Sequence, residues 1–436
     1  MSNKKHIIIE QQGLSQVRPE DKKDWKSIVL IWAGGVICVP ALMVGAFITN
    51  GLGFKSSVIA MVIGYLIVVG YMVFMAMQSE DLGVPSVVTF EGAFGKKGSS
   101  YVASTVIVFC FTSWFAFQTA ICGAAFSGLL ERYGILFPVS ASMIIWGAIM
   151  TITAVYGFGL MKVLNLVSVP AMAFILVYAV INILSKPEAY QKIIEFQPVN
   201  PMPLIAGIGI AVGGFAAGGV LAGDITRYCK NRKETALSVI VGVLPAGIGA
   251  LIVGSILAIN AGSLGMDNTS IVNMLSSVGA PILGLLVLIL ATWTTNVSNA
   301  YTAGFALLNI TKMQNNKRSL SCFIVGVVGT LLAVFGALNY FSGFLNILGT
   351  FIPPIAGVTI MDYWGIRKGK IENWNPVNGF NLAGFLAWII GAVVAIKFPT
   401  VLIPSINAIV ISCVSYFIFF SLFNKKSNVN NANKEV

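Results

Sequence analysis

Apolar runs of about 20 residues recur along the chain from Trp32 to Phe423. Each is long enough to cross ~30 Å of hydrocarbon as a helix, which satisfies its own backbone in a solvent without water. Twelve helices are expected, at about 27–49, 56–78, 100–129, 136–156, 162–184, 202–223, 236–260, 280–309, 319–337, 340–363, 380–397 and 401–423. Only 10% of the 436 residues are charged and 57% are apolar, whereas a soluble domain carries ~25% charged residues. That composition excludes an ordinary soluble enzyme, a disordered chain and a nucleic-acid binder, in spite of the net charge of +11. The expected fold is all-α and integral to a lipid bilayer. A twelve-helix body (27–423) lies between polar tails at 1–26 and 424–436. No cleavable signal peptide is expected, because the first apolar stretch is followed by eleven more.

Lys and Arg are sorted by this division. With a cytoplasmic N-terminus, 22 of the 27 fall in inside segments and 5 outside (Lys55, Arg132, Lys186, Lys192 and Lys397). The split supports an even number of spans, with both termini cytoplasmic in the cell membrane. The basic cluster Arg227 to Lys233 is explained by this topology signal, with phosphate or lipid binding as the alternative. The six cysteines are scattered and none sit at CxxC spacing, so neither a disulfide framework nor a zinc site is expected. The single histidine, His6, lies in the N-terminal tail, so no His-based triad or metal cluster can form.

Spans 1 and 6 differ from the Leu/Ile/Val-rich rest. Span 1 carries Gly34, Gly35, Pro40 and Gly45; span 6 carries Gly207, Gly209, Gly213, Gly214, Gly218 and Gly219 around Phe215. Clustered Gly and Pro free backbone groups that a ligand or neighbour must satisfy. Interruptions at matching places in two five-helix halves point to inverted repeats, about 27–184 and 202–363, with a mid-membrane site between them. Close helix packing is the competing explanation for the glycines. Phe215, a large ring among residues with almost no side chains, is expected to line the cavity such a break creates.

Of the 16 acidic residues only Asp224 and Asp362 touch the expected spans, both at cytoplasmic ends. Asp224 is expected to pair with Arg227 at the interface. Metal-dependent intramembrane enzymes need clustered acids or histidines, so an enzyme is not expected. Proton relays use the same groups, so a metal cation is the expected coupling ion. Span 8 holds the densest uncharged polar patch: Thr292, Thr294, Thr295, Asn296, Ser298, Asn299 and Thr302. The Thr294 and Thr295 hydroxyls lie one turn from the Ala291 carbonyl, and three converging hard oxygens suit Na⁺. Asn296 offers a donor and an acceptor to the edge of a planar heterocycle. In span 3, Phe111, Trp114 and Gln118 share a face at i, i+3 and i+7.

The chain resembles the nucleobase:cation symporter family, in its cytosine permease branch. The likeness covers nearly the whole chain. It is carried by Asn50-Gly51-Leu52, Gly214-Phe215 through Asp224-Ile225-Thr226-Arg227-Tyr228, Trp293-Thr294-Thr295-Asn296, Leu308-Asn309-Ile310-Thr311, and Ile352-Pro353-Pro354 through Asp362-Tyr363. The resemblance implies a LeuT-like fold of twelve helices with two inverted five-helix repeats, broken at helices 1 and 6. It implies alternating access, with a Na⁺ site formed by the carbonyls of Gly34, Ile37 and Ala291 and the hydroxyls of Thr294 and Thr295. It also implies a base held between Trp114 and Phe215 and read by Asn296. Three positions depart from the cytosine permease pattern: Phe111 replaces a Gln, and Gly214 and Ala217 replace serines. Cytosine should then bind poorly unless Gln118 or backbone amides substitute.

The leading expectation is therefore a Na⁺-coupled importer of a nucleobase-like heterocycle: a purine, a thiamine-precursor pyrimidine or a less polar ring. The alternatives are proton coupling with a vitamin or amine as substrate and, from another class, a membrane sensor or channel. Composition and motif leave the substrate and the oligomeric state open.

Overall fold

The computed structural model describes residues 16–156, 158–198, 200–262, 273, 281–398 and 403–432; the side chains of 157–169, 281, 315 and 424–432 are outside that description. Most of the 1–26 tail, the end of the 424–436 tail, the side chain of Lys162 and the first residues of expected spans 8 and 12 thus lie outside the described residues. Every regular element among the described residues is helical.

Span 1 is broken where expected. Asp24 caps the helix Trp25–Val36 by accepting from the Lys26 amide at 3.1 Å. The helix stops at Ile37, and Cys38 is fully extended (φ −142°, ψ 162°). Pro40 sits in the first turn of the next helix, where its missing N–H costs nothing. That next helix, Val39–Leu82, has 44 residues and would be ~66 Å long if straight. It is two spans. Gly53 (φ 70°, ψ 170°) breaks it in a conformation open to glycine. Residues 39–52 complete span 1 and 54–82 form span 2, with no loop where 50–55 was expected to provide one.

The remaining spans are Lys96–Glu131, Val139–Tyr156, Phe158–Leu184, Leu204–Val220, Arg232–Ala261, Pro281–Thr311, Arg318–Val334, Ala337–Ile366, Leu382–Lys397 and Pro404–Ala432. Among the described residues eight helices are long and apolar enough to cross a membrane; with the 44-residue helix divided at Gly53 and the shorter apolar helices Pro170–Leu184, Arg318–Val334 and Leu382–Lys397 added, twelve segments are traced. In span 6 the expected break is displaced: the glycine cluster is helical throughout Leu204–Val220, and the turn falls at Leu221–Ala222, before a short helix Gly223–Thr226. Those glycines serve packing instead. A side chain on Gly213 would collide with the Leu345 carbonyl, so span 10 approaches span 6 at backbone distance. Span 10, expected as one helix, is segmented: Pro353 and Pro354 start a new stretch after Ile352, and Met361–Ile366 is π-helical.

Equivalent spans of the two halves pack on one another. Trp32 of span 1 meets Phe215 of span 6, with ring centroids 6.5 Å apart. Tyr65 of span 2 lies against Gly247 of span 7. Asn296 of span 8 donates to the Phe115 carbonyl of span 3 at 2.9 Å. Thr151 of span 4 lies against Gly326 of span 9. Each pair joins span n to span n+5, as a pseudo-two-fold axis relating two five-helix units requires. Lys96, Arg232, Arg318 and Arg367 stand where spans 3, 7 and 9 begin and span 10 ends, on one side of the bundle. This side is called the basic end below.

Candidate functional site

Where the pseudo-two-fold pairs cross, the helices leave a cavity of about 330 Å³. Its walls are mostly rings, aliphatic side chains and glycines. Trp32, Gly35 and Cys38 come from span 1 and Tyr65 from span 2; Phe111, Trp114 and Gln118 come from span 3 and Gly214, Phe215 and Ala217 from span 6; span 8 supplies Thr295 and Asn299. The spacing in span 3 accounts for its three contributions, which share one helical face. Phe215 lines the cavity from within a continuous helix, beside the break and not in it. Its ring is stacked on Tyr65 (6.0 Å, 7° between planes) and edge-on to Trp32. Trp114 is braced from the other side by Phe117, Phe341 and Phe344 at 6.0, 6.0 and 5.2 Å. Two aromatic surfaces with fixed orientations thus face a narrow space.

Beyond Trp114 the rings form a cluster at one end of the cavity. Phe341 packs edge-on against Phe47 (6.4 Å) and Phe117 (5.1 Å), and Phe344 packs on Phe109 and Phe117. Toward the basic end the walls are Ile31 and Ile225, and a side chain added at Gly34 or Gly35 would meet nothing within 4 Å.

Asn296 is not in the wall. It is fully enclosed behind it, where its amide nitrogen donates to the Phe115 carbonyl (2.9 Å), Thr119 Oγ1 (3.0 Å) and the Met150 sulfur (3.2 Å). Its Oδ1 accepts from Gln118 (3.4 Å) and Asn299 (3.1 Å), which do line the cavity. Asn296, expected to read a ligand edge directly, has its amide donors taken by protein groups in this structure. Asn299, Tyr65, Trp32 and Cys38 are wall residues that were not singled out from the sequence. Asn299 belonged to the polar run of span 8, and Trp32 lies one turn before the span 1 break.

Thr294 and Thr295 each donate to the Ala291 carbonyl at 2.9 Å, so the three oxygens do converge. Only Thr295 of the three reaches the cavity. In span 1 the break releases carbonyls. The Cys38 amide turns back to Val36 instead of to Gly34, and the Ala41 and Leu42 amides both go to Cys38, bypassing Ile37. The Gly34 and Ile37 carbonyls are thus left by their usual helical partners, on the span whose neighbouring residues share the cavity with Thr295. Among the described residues there is no group of three or more His, Cys, Asp or Glu able to hold a metal. A cation here would be held by neutral oxygens.

The acids lie away from this chamber. Asp224 accepts from the Ser86 amide at 2.9 Å, and Asp362 is paired with Arg367 at 2.9 Å and accepts from Tyr416 at 2.8 Å. Span 2 runs further than expected and brings Glu80 and Asp81 to the basic end, where they pair with Lys22 (3.0 Å) and Arg232 (2.7 Å).

The family described as permease for cytosine/purines, uracil, thiamine, allantoin matches residues 18–419 by its sequence profile. The chain belongs to this family. The cytosine permease of Escherichia coli K12 is 26% identical over 411 residues, covering 93% of both chains. The inward-facing conformation of Mhp1 shares the fold with a TM-score of 0.79 at 21% identity, over 94% of this chain and 95% of that one. Mhp1, a nucleobase-cation-symport-1 family transporter, closed with bromovinylhydantoin bound, gives 0.76 at 21% identity over 95% and 96%. This permease is a multi-pass, LeuT-like secondary transporter working by alternating access, and the cavity between spans 1, 3, 6 and 8 is its candidate chamber.

Proposed function

We propose that this permease imports a nucleobase-like planar heterocycle across the cell membrane together with Na⁺, with both termini in the cytoplasm. The observation that carries the reading is the pairing of two features at one chamber. One is an aromatic cavity with no charged side chain among its lining residues. The other is a break in span 1 that frees carbonyls on a span whose neighbouring residues share the cavity wall with Thr295. A flat heteroaromatic ring gains most from stacking on Trp114 and Phe215, and Na⁺ suits neutral oxygen ligands. Na⁺ is cargo here: bound between Gly34 and Ile37 of span 1 and the span 8 oxygens, it would draw the two spans together. The ring cluster at one end and the open space at Gly34 support reading this as a state that faces the cytoplasm, from which both cargoes can leave.

Uptake into proteoliposomes tests this. A Na⁺ gradient should drive accumulation of a radiolabelled heterocycle, and Thr295→Ala should abolish the Na⁺ dependence while the protein stays folded. Uptake that follows a proton gradient without Na⁺ refutes the coupling ion. Flux that never saturates refutes a transporter cycle.

A further inference from the structure

The chain enters span 1 only after crossing the ends of other spans. Residues 16–24 run over the basic end of span 2, where the last carbonyls of the helix have no helical partner. Gln16 Nε2 donates to the Leu82 carbonyl at 3.2 Å, and the Val17 amide donates to the Gly83 carbonyl at 2.8 Å. Gly83 is left-handed (φ 67°), and a side chain there would also strike Gln16, so the end of span 2 is shaped for a chain lying against it. Lys22 pairs with Glu80 at 3.0 Å, with both side chains largely buried, and the negative end of the span 2 dipole favours a cation at that place. One residue on, the Lys23 amide donates to the Tyr228 carbonyl at 2.7 Å, and its ammonium lies over the Tyr228 ring at 5.5 Å. Tyr228 belongs to the connection between spans 6 and 7.

Span 1 follows without slack. Asp24 caps it and Trp25 is its first residue, so the helix begins two residues after the anchored Lys23. Two residues of chain reach ~7 Å at most. One face of the helix packs on span 7, where Gly242 admits Val29 and Trp32, while Leu30 and Ile31 are exposed. Apolar packing is non-directional; the bonds made by residues 16–23 are directional and set where the helix starts. We infer that residues 16–23 are a leash that holds the inner half of span 1, Trp25–Val36, to span 2 and to the span 6–7 connection, and that releasing the leash frees this half of span 1 alone. With the leash docked, these parts move as one body when the chamber opens or closes at the basic end. With it released, Trp25–Val36 pivots on the break at Ile37–Cys38. The inference uses the alternating-access cycle and no choice of ion or substrate.

Hydrogen–deuterium exchange of the purified full-length protein tests this, with maleimide labelling of Cys38 in a Cys413→Ala background as a second readout. Val17→Pro removes the amide that bonds to Gly83, and Lys22→Glu sets like charges against each other at Glu80. Each should free residues 16–23, speed exchange over 25–36 about tenfold and raise the labelling rate of Cys38, with exchange in spans 2 and 7 unchanged. Lys22→Arg, which keeps the ion pair, should behave as the unaltered protein. Three results overturn the inference: residues 16–23 unprotected in the unaltered protein, residues 16–23 still protected when both substitutions are combined, or a freed 16–23 that leaves exchange over 25–36 and Cys38 labelling as they were. A Lys22→Arg protein that loosens as much as Lys22→Glu overturns the part given to the ion pair.

Discussion

Asn296 hydrogen-bonds to Phe115, Thr119, Met150, Gln118 and Asn299 and has no exposed surface. Removing it strands the amide donors of Gln118 and Asn299 at membrane depth, each costing ~1–3 kcal/mol. Asn296→Ala should therefore lower stability by about 2–4 kcal/mol in detergent unfolding, whereas Asn299→Ala, at the wall with a single protein partner, should lose no more than about 1 kcal/mol. A variant at 296 that loses ligand binding with unchanged stability would show that its side chain touches ligand directly. The residue type alone could not separate these roles. An Asn inside an apolar span demands partners, but whether protein or ligand supplies them depends on what the neighbouring helix presents, and here span 3 presents a carbonyl.

The same limit operates on elements. The broken span 1 was legible because Pro40 and the glycines before it leave local backbone geometry little choice. The break in span 6 was placed too early, because glycine runs also serve close packing. Gly213 lets the Leu345 backbone in, and the helix stays intact to Val220. The segmentation of span 10 at Ile352 and the loopless turn at Gly53 come from Pro353-Pro354 and from a glycine conformation, local signals that hydropathy does not carry. Spans 1 and 7 make the distinction between packing and function testable. A side chain at Gly45 would run into the Leu251 carbonyl, so Gly45→Ala should cost about 1–3 kcal/mol of stability. Gly34 faces open space, and alanine there should leave the unfolding temperature unchanged or slightly raised, since Ala is the better helix former. If span 1 closes on span 8 in the cycle, Gly34→Ala should nonetheless lower Na⁺-driven uptake about tenfold or more, because the added methyl would occupy the approach. Unimpaired uptake would remove Gly34 from the moving contact.

For the whole molecule, the two ends of the chamber are built on different physics. The far end is held by interlocking rings from spans 1, 3 and 10, a contact insensitive to salt. The basic end is held by charge. Asp81 takes two bonds of 2.7 Å from Arg232 and one of 2.8 Å from Tyr363, and Arg232 also reaches the Gly369 carbonyl at 2.6 Å. These contacts tie spans 2, 7 and 10 together at the basic end. Charge sorting in the sequence foretold on which side such a network would form, although not its members, because Glu80 and Asp81 lay beyond the expected end of span 2. Cys38, in the chamber wall at the hinge of span 1, reports on this asymmetry. Four of the other cysteines are buried, and Cys413 can be replaced by alanine for the purpose. In sealed vesicles a membrane-impermeant maleimide should label Cys38 from the basic side and leave it unlabelled from the other in the state described here. Na⁺ together with a transported heterocycle should slow labelling from the basic side several-fold by closing span 1 over the chamber. Equal labelling from both sides would mean that the ring cluster of Phe47, Phe341 and Phe344 is no seal, and the cycle would then need a different gate.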